Sequence, residues 1–231
     1  AVNSDDESKK ETVTLYRRAL EPDAKEEVVY ETQGYAPSLY GFRAYGNDLY
    51  IRESGFAKAN GEDMYSNIIK CNIHTKETKK IRENCYGYFV KIKDKMYIID
   101  AEKNKIVQFS EDEEEEKEIY QIEDLEKLFI TTLKTDGTYL YFYKEKEIEK
   151  DGKTDRKRTL QIIDTEGNLV DTLKNTDEFI GADNEYLFFK EYEVKYSEET
   201  GQEKRVEHIY YYKRSDIGSG DYSLRTEMKP E

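Results

Sequence analysis

A pattern of paired short strands recurs along the chain, and few architectures satisfy it. Five apolar segments, Leu15-Tyr16-Arg17-Arg18, Ile68-Ile69-Lys70-Cys71, Ile106-Val107-Gln108-Phe109, Leu160-Gln161-Ile162-Ile163 and Ile209-Tyr210-Tyr211-Tyr212, each precede a polar turn and a second apolar anchor. The anchors are Val28, Ile81, Ile119, Leu173 and Leu224, at offsets of 13, 13, 13, 13 and 15 residues. A second hairpin precedes four of the five. Its inner strand runs through Tyr40-Gly41-Phe42, Tyr88-Phe89-Val90, Leu128-Phe129-Ile130 and Phe179-Ile180-Gly181. The turns that follow, Gly46-Asn47-Asp48, Lys93-Asp94-Lys95, Asp136-Gly137 and Asp183-Asn184, are rich in residues that tolerate left-handed backbone or bond their own main chain. Each return strand carries a central aromatic, at Tyr50, Tyr97, Tyr141 and Phe188, spaced 47, 44 and 47 residues apart.

A unit of about 45 residues carrying four short strands has the length of a propeller blade. Each such sheet has two apolar faces that only neighbouring sheets can cover. The expected fold is therefore all-β: a β-propeller-like array of four-stranded antiparallel blades, about five in number, with ring closure left open. A long meander or sandwich with coincidental spacing is the alternative, and the agreement of register with turn chemistry at every copy counts against it. The expected organisation is a polar leader over 1–11, then one domain over 12–231. Its units are 12–31 (an outer hairpin with no inner partner), 36–82, 85–120, 127–174 and 178–226. The odd half-unit leaves two readings, a piece of a larger propeller or an incomplete ring closed by the first hairpin.

Composition supports order and removes several functions. Charged residues are 38% and hydrophobic ones 36%, which taken alone suggests disorder, but 21 Tyr and 9 Phe against 3 Pro argue for packed β structure. A net charge of −14 is the wrong sign for a nucleic-acid groove. No apolar run approaches the roughly 18 residues of a membrane span. Two Cys and two His leave little for a zinc cage or a haem, so no cofactor or metal is expected.

Met96-Tyr97-Ile98-Ile99-Asp100, followed by Asn104-Lys105-Ile106, is similar to the Tyr-Trp-Thr-Asp repeat of low-density-lipoprotein-receptor-type propellers. The other copies keep the aromatic but lose the Asp, and the chain has no Trp. At the level of pattern, residues 12–226 also resemble TolB-like propeller domains of bacterial cell-envelope proteins. The resemblance implies a non-catalytic interaction or scaffold module, extracellular or in the cell envelope, with a lipid anchor on a precursor compatible with it. A cytoplasmic location stays open.

Connections between second and third strands vary most, and variable loops on a repeated scaffold are where binding usually resides. One runs from Ser54 to Asp63; two are extended hairpins, Lys144 to Arg158 turning at Asp151-Gly152, and Glu191 to Val206 turning near Thr200-Gly201. The candidate binding residues are Tyr35, Tyr143, Tyr192 and Tyr196, for a protein or carbohydrate partner. The plain alternative is that these tyrosines pack on their own hairpin partners.

Catalytic groupings are weak. His74 falls in an outer turn and His208 at a strand start, and neither belongs to a nucleophile motif. The acidic run from Glu111 to Glu116 lacks the glycine and alternation of a calcium loop and reads as a solvated turn. Cys71 and Cys85, 14 residues apart, could bridge in an oxidising compartment or stay as two half-buried thiols. The functional expectation is a binding module acting through the hairpin face. The alternative is a hydrolase using carboxylates at the central opening, which the scarcity of acids on the inner strands disfavours. Oligomeric state and ligand are open.

Overall fold

The computed structural model describes residues 9–100, 103–112, 115–122, 128–150, 153–174, 176–196 and 203–229. The leader expected over 1–11 therefore lies mostly outside the described residues. The strands are β1 (Glu11–Arg17), β2 (Glu27–Tyr45), β3 (Asp48–Phe56), β4 (Met64–Asn72), β5 (Thr78–Arg82), β6 (Phe89–Ile92), β7 (Lys95–Asp100), β8 (Lys105–Ser110) and β9 (Lys117–Gln121). They continue as β10 (Leu128–Thr135), β11 (Leu140–Lys150), β12 (Lys153–Ile163), β13 (Leu169–Lys174), β14 (Glu178–Ala182), β15 (Tyr186–Tyr196), β16 (Glu203–Lys213) and β17 (Thr226–Glu227). Among the described residues the helical segments are two 3-10 turns, Arg214–Asp216 and Tyr222–Leu224. The fold is all-β, in four antiparallel sheets whose strands follow one another in chain order: β1 to β5, β6 to β9, β10 to β13 and β14 to β17. Each of the four full sequence units maps onto one sheet.

The turns are closed as their side chains predict. The Asp136 Oδ1 atom accepts from the Thr138 and Tyr139 amides at 2.8 and 2.9 Å. Asp183 does the same for Glu185 and Tyr186 at 2.8 and 2.7 Å. These carboxylates mimic a backbone turn, which is why Asp stands where a hairpin must reverse. Gly46 sits at φ +60, a conformation glycine adopts without steric cost. The acidic run begins in the β8–β9 turn, where Glu111 pairs with Lys91; Glu113 and Glu114 lie outside the described residues.

Two compact units divide the chain, Ala1–Gly87 and Tyr88–Glu231. In the first, β2 is 19 residues long and serves two partners. Its first half, Glu27 to Gly34, pairs with β1, and its second half, from Tyr35, pairs with β3. The changeover occurs where Ala36 takes φ +46 and the register skips from Tyr35 to Ser38. Pro37, which has no N–H to give a ladder, occupies the skip. The β1–β2 hairpin thereby folds back over its own sheet. Val29, Ile51 and Cys71 form the core beneath it, with Leu15, Tyr30, Leu39, Leu49 and Ile73 packed around them. This corrects the expected count of about five units: the described residues form four sheets. The hairpin assigned to 12–31 is joined to the first sheet because β2 continues unbroken through 31–36.

The second unit stacks three sheets face to face. Tyr97, Ile99 and Ile106 of one meet Leu133, Leu140, Phe142 and Ile163 of the next. On the other side of that middle sheet, Tyr141, Tyr143, Leu160, Ile162 and Leu173 meet Phe179, Leu187, Phe189 and Tyr212. Neighbours such as Tyr141 and Phe142 point to opposite faces, and both are wholly buried. A sheet covered on both sides needs an unbroken apolar run, and Leu140-Tyr141-Phe142-Tyr143 supplies one. Each such side chain contributes about 2 kcal/mol of burial.

Candidate functional site

The long hairpins are the most distinctive surface of the second unit. β11 and β12 pair residue for residue from Leu140 opposite Ile163 to Lys150 opposite Lys153. β15 and β16 do so from Tyr186 opposite Lys213 to Tyr196 opposite Glu203. Their flanking strands are shorter. β10 extends only to Lys146 of β11, and β14 only to Lys190 of β15. Beyond those points both pairs run on as two-stranded ribbons. Their expected turns, Asp151-Gly152 and Thr200-Gly201, lie outside the described residues.

One residue ties the two roots together. Asp177, between β13 and β14, accepts at its carbonyl from Arg158 Nη1 at 3.0 Å and at Oδ2 from the Tyr192 amide at 2.7 Å. Arg158, opposite Glu145, lies at the root of the first ribbon, and Tyr192 at the root of the second. Arg158 also reaches the buried Glu145 carboxylate, with Nε 2.5 Å from Oε1. Tyr192 donates its hydroxyl to Glu178 at 3.2 Å, while the Arg205 guanidinium lies 4.7 Å above its ring. Burial, and then the Glu178 carboxylate, push the Tyr192 phenol above its usual value.

The inward side of the second root holds an ion cluster. Tyr222 donates its hydroxyl to Glu191. Arg225 stands 3.1 Å from the same carboxylate, an ion pair whose angle does not make it a hydrogen bond, and stacks on the Tyr222 ring at 4.2 Å. His208 lies between Glu227, 2.7 Å from Nδ1, and Glu193, 3.3 Å from Nε2.

The four sequence candidates fall in different places. Tyr192 sits at the ribbon root. Tyr196 ends β15 opposite Glu203, and its side chain lies outside the described residues. Tyr143 does not project: it is 3% exposed in the core between two sheets, and burial raises its phenol. Tyr35 belongs to the first unit, opposite Phe56 on β3, with Lys10 Nζ 5.9 Å from its ring centre.

Both cysteines are free and buried, so the disulfide is not formed. Cys85 donates its amide to the Ser66 carbonyl at 2.6 Å, and Ser66 Oγ donates back to the Cys85 carbonyl at 2.7 Å. Ser66 is five residues along β4 from Cys71, roughly 16 Å at about 3.3 Å per residue. A bridge needs Cα atoms within about 7 Å.

Sequence reading missed a cleft of about 370 Å³ in the first unit, lined by Lys10, Glu53, Tyr65, Asn67, Lys80 and Glu83 among others. Its one sequence signal is the pair Gly34 and Gly55 inside strands, where glycine marks a close approach of another group.

Among the described residues no group of three or more His, Cys, Asp or Glu is placed to hold a metal ion, and no helix is long and apolar enough to cross a membrane. No family model matches the chain, and no curated protein matches its sequence.

Proposed function

We propose that the chain is a non-catalytic binding module on a β-propeller-type array, recognising a protein through the ribbons of β11–β12 and β15–β16. The reading rests chiefly on the junction at Asp177, which fixes the roots of both ribbons before any partner arrives. Pre-organised elements lose less conformational freedom on binding, so more of their contact energy appears as affinity. A two-stranded ribbon also offers free backbone edges and alternating side chains, the features used in strand addition. The propeller assignment is supported by the match of one repeat to one sheet and by the stacking of three sheets through apolar faces. Placement outside the cytoplasm follows the resemblance carried by Met96 to Asp100.

The test is a pair of shortened variants, one replacing residues 147–156 and one replacing 194–205 with Asn-Gly, which leaves the partners Lys146 and Lys157, and Glu193 and Val206, flanking the new turns. Both segments lie beyond the stacked cores, so the thermal midpoint stays near that of the parent. Arrays of cell-surface proteins then report binding by the parent and its loss in at least one variant. Undiminished binding by both variants refutes the ribbon reading, and a response on glycan arrays alone refutes the protein partner.

A further inference from the structure

We propose that the cleft of the first unit is a binding site for a neutral sugar ring, separate from the ribbon surface. Its floor is set by strand register. Glu53 lies opposite Asn67 and Gly55 opposite Tyr65 on β3 and β4, so alternation places all four on one face of the sheet. The first half of β2 crosses that face. From it the Tyr30 hydroxyl donates to Glu53 Oε2 at 2.6 Å, and the Thr32 hydroxyl donates to Oε1 at 2.7 Å.

Two glycines make room for the third hydroxyl. A Cβ at Gly34 or at Gly55 would stand 2.8 Å from the Tyr65 oxygen, closer than packing allows. Their absence of side chains is what lets the Tyr65 phenol lie across the junction of hairpin and sheet. Burial, and then the Glu53 charge, raise the Tyr65 phenol above its usual value, and its hydroxyl joins Thr32 and Glu53 in one hydrogen-bonded cluster.

The chemistry of this floor suits hydroxyl groups. A carboxylate has lone pairs for about four hydrogen bonds, and Tyr30, Thr32 and Tyr65 take three of those on Glu53. Asn67 adds an amide that both donates and accepts. Lys80 is paired with Glu83 at 2.7 Å, and the charged residues of the lining are two lysines, Lys10 and Lys80, and two glutamates, Glu53 and Glu83. Balanced charge favours neither a cation nor an anion. A ligand whose groups each donate and accept fits best, and Tyr65 offers aromatic surface to the C–H face of a pyranose. The volume of about 370 Å³ falls in the range of small-molecule sites.

Saturation-transfer NMR with methyl glucoside, methyl galactoside, methyl mannoside and N-acetylglucosamine tests this, each at millimolar concentration against the whole chain. At least one gives transfer, and Asn67→Ala and Gly34→Ala each weaken it by about tenfold or more. Gly34→Ala presses closely only on the end of the Tyr65 side chain and removes no buried polar group, so it reads the site even if Asn67→Ala proves unstable. The ribbon-shortened variants bind the sugar as the parent does. Absence of transfer from all four sugars overturns the proposal. So does equal binding by both cleft variants, or competition by inorganic phosphate or n-butylamine, since those ligands require a charged site.

Discussion

Arg214 places Nη2 2.9 Å from the Asp136 Oδ2 atom, joining the end of β16 to the β10–β11 turn. The Asp136 side chain is only 2% exposed and also accepts from the Tyr141 hydroxyl at 2.5 Å. A turn residue thus serves as a buried anchor between neighbouring sheets of the second unit.

Removing one partner leaves a charge buried and uncompensated. Arg214→Ala is expected to destabilise by about 3–5 kcal/mol, the usual cost of breaking a buried pair. Urea unfolding followed by tyrosine fluorescence measures it. A loss below about 1 kcal/mol would show that water screens the Asp136 carboxylate as it screens surface pairs.

Phe188 and Phe189 are adjacent on β15 and face opposite ways. Phe189 is wholly buried in the stacked core with its ring stacked on Tyr210, whereas Phe188 is half-buried on the other face beside Tyr186. Phe189→Ala should cost about 3–5 kcal/mol, and Phe188→Ala less than half as much. Comparable falls in thermal midpoint for the two would contradict this assignment of faces.

Tyr143 buries a hydroxyl that has no hydrogen-bond partner among the described residues. The neighbouring Thr176 hydroxyl is turned to the Leu173 carbonyl at 3.4 Å. Tyr143→Phe keeps the ring and discards the unsatisfied group, so stability is unchanged or rises by about 1 kcal/mol. Chemical denaturation of the two proteins decides, and a clear loss would mean that the hydroxyl is bonded in solution.

The carboxylates of Glu227 on β17 and Glu193 on β15 hold the His208 pKa above its usual value. The folded state therefore binds a proton more tightly than the unfolded chain does. This contribution is fully present below the unfolded histidine pKa and is lost as pH rises through the folded value. Thermal midpoints of the parent and His208→Gln, taken across that window, should converge as pH increases. Parallel curves would remove His208 from the pH dependence.

Neither thiol is placed for reaction. Burial raises the Cys71 thiol, whose Sγ donates to the Val29 carbonyl at 3.2 Å. Dithiothreitol should leave the thermal midpoint unchanged, and Ellman's reagent should react with both cysteines only on unfolding. Stabilisation lost on reduction would reveal a bridge.

Much of this fold was legible because its rules are local. Asp136 and Asp183 could be read as turns, since their carboxylates bond amides two and three residues ahead. The spacing of Tyr97, Tyr141 and Phe188 placed each on the second strand of a four-stranded sheet, whereas Tyr50 falls on the third of five because the first hairpin joins its sheet. The fate of Tyr143 was not legible. In a sheet buried on both faces the apolar run is continuous, so period-two alternation does not separate core from surface. Tyr192 was named correctly as a ribbon residue, yet its bond to Asp177 depends on a loop from the neighbouring connection.

Length, repeat and turn chemistry together determined an all-β chain of four-stranded units, because hairpin pairing and side-chain alternation act over a few residues. Tertiary structure decided the rest. It alone merged the first hairpin with the first sheet through the unbroken β2, and it alone brought Asp136 to Arg214. It also set Glu53 under Tyr30 and Thr32 at the floor of the cleft. Each of these depends on how one sheet or hairpin lies against another, and that is fixed by packing between segments distant in the chain.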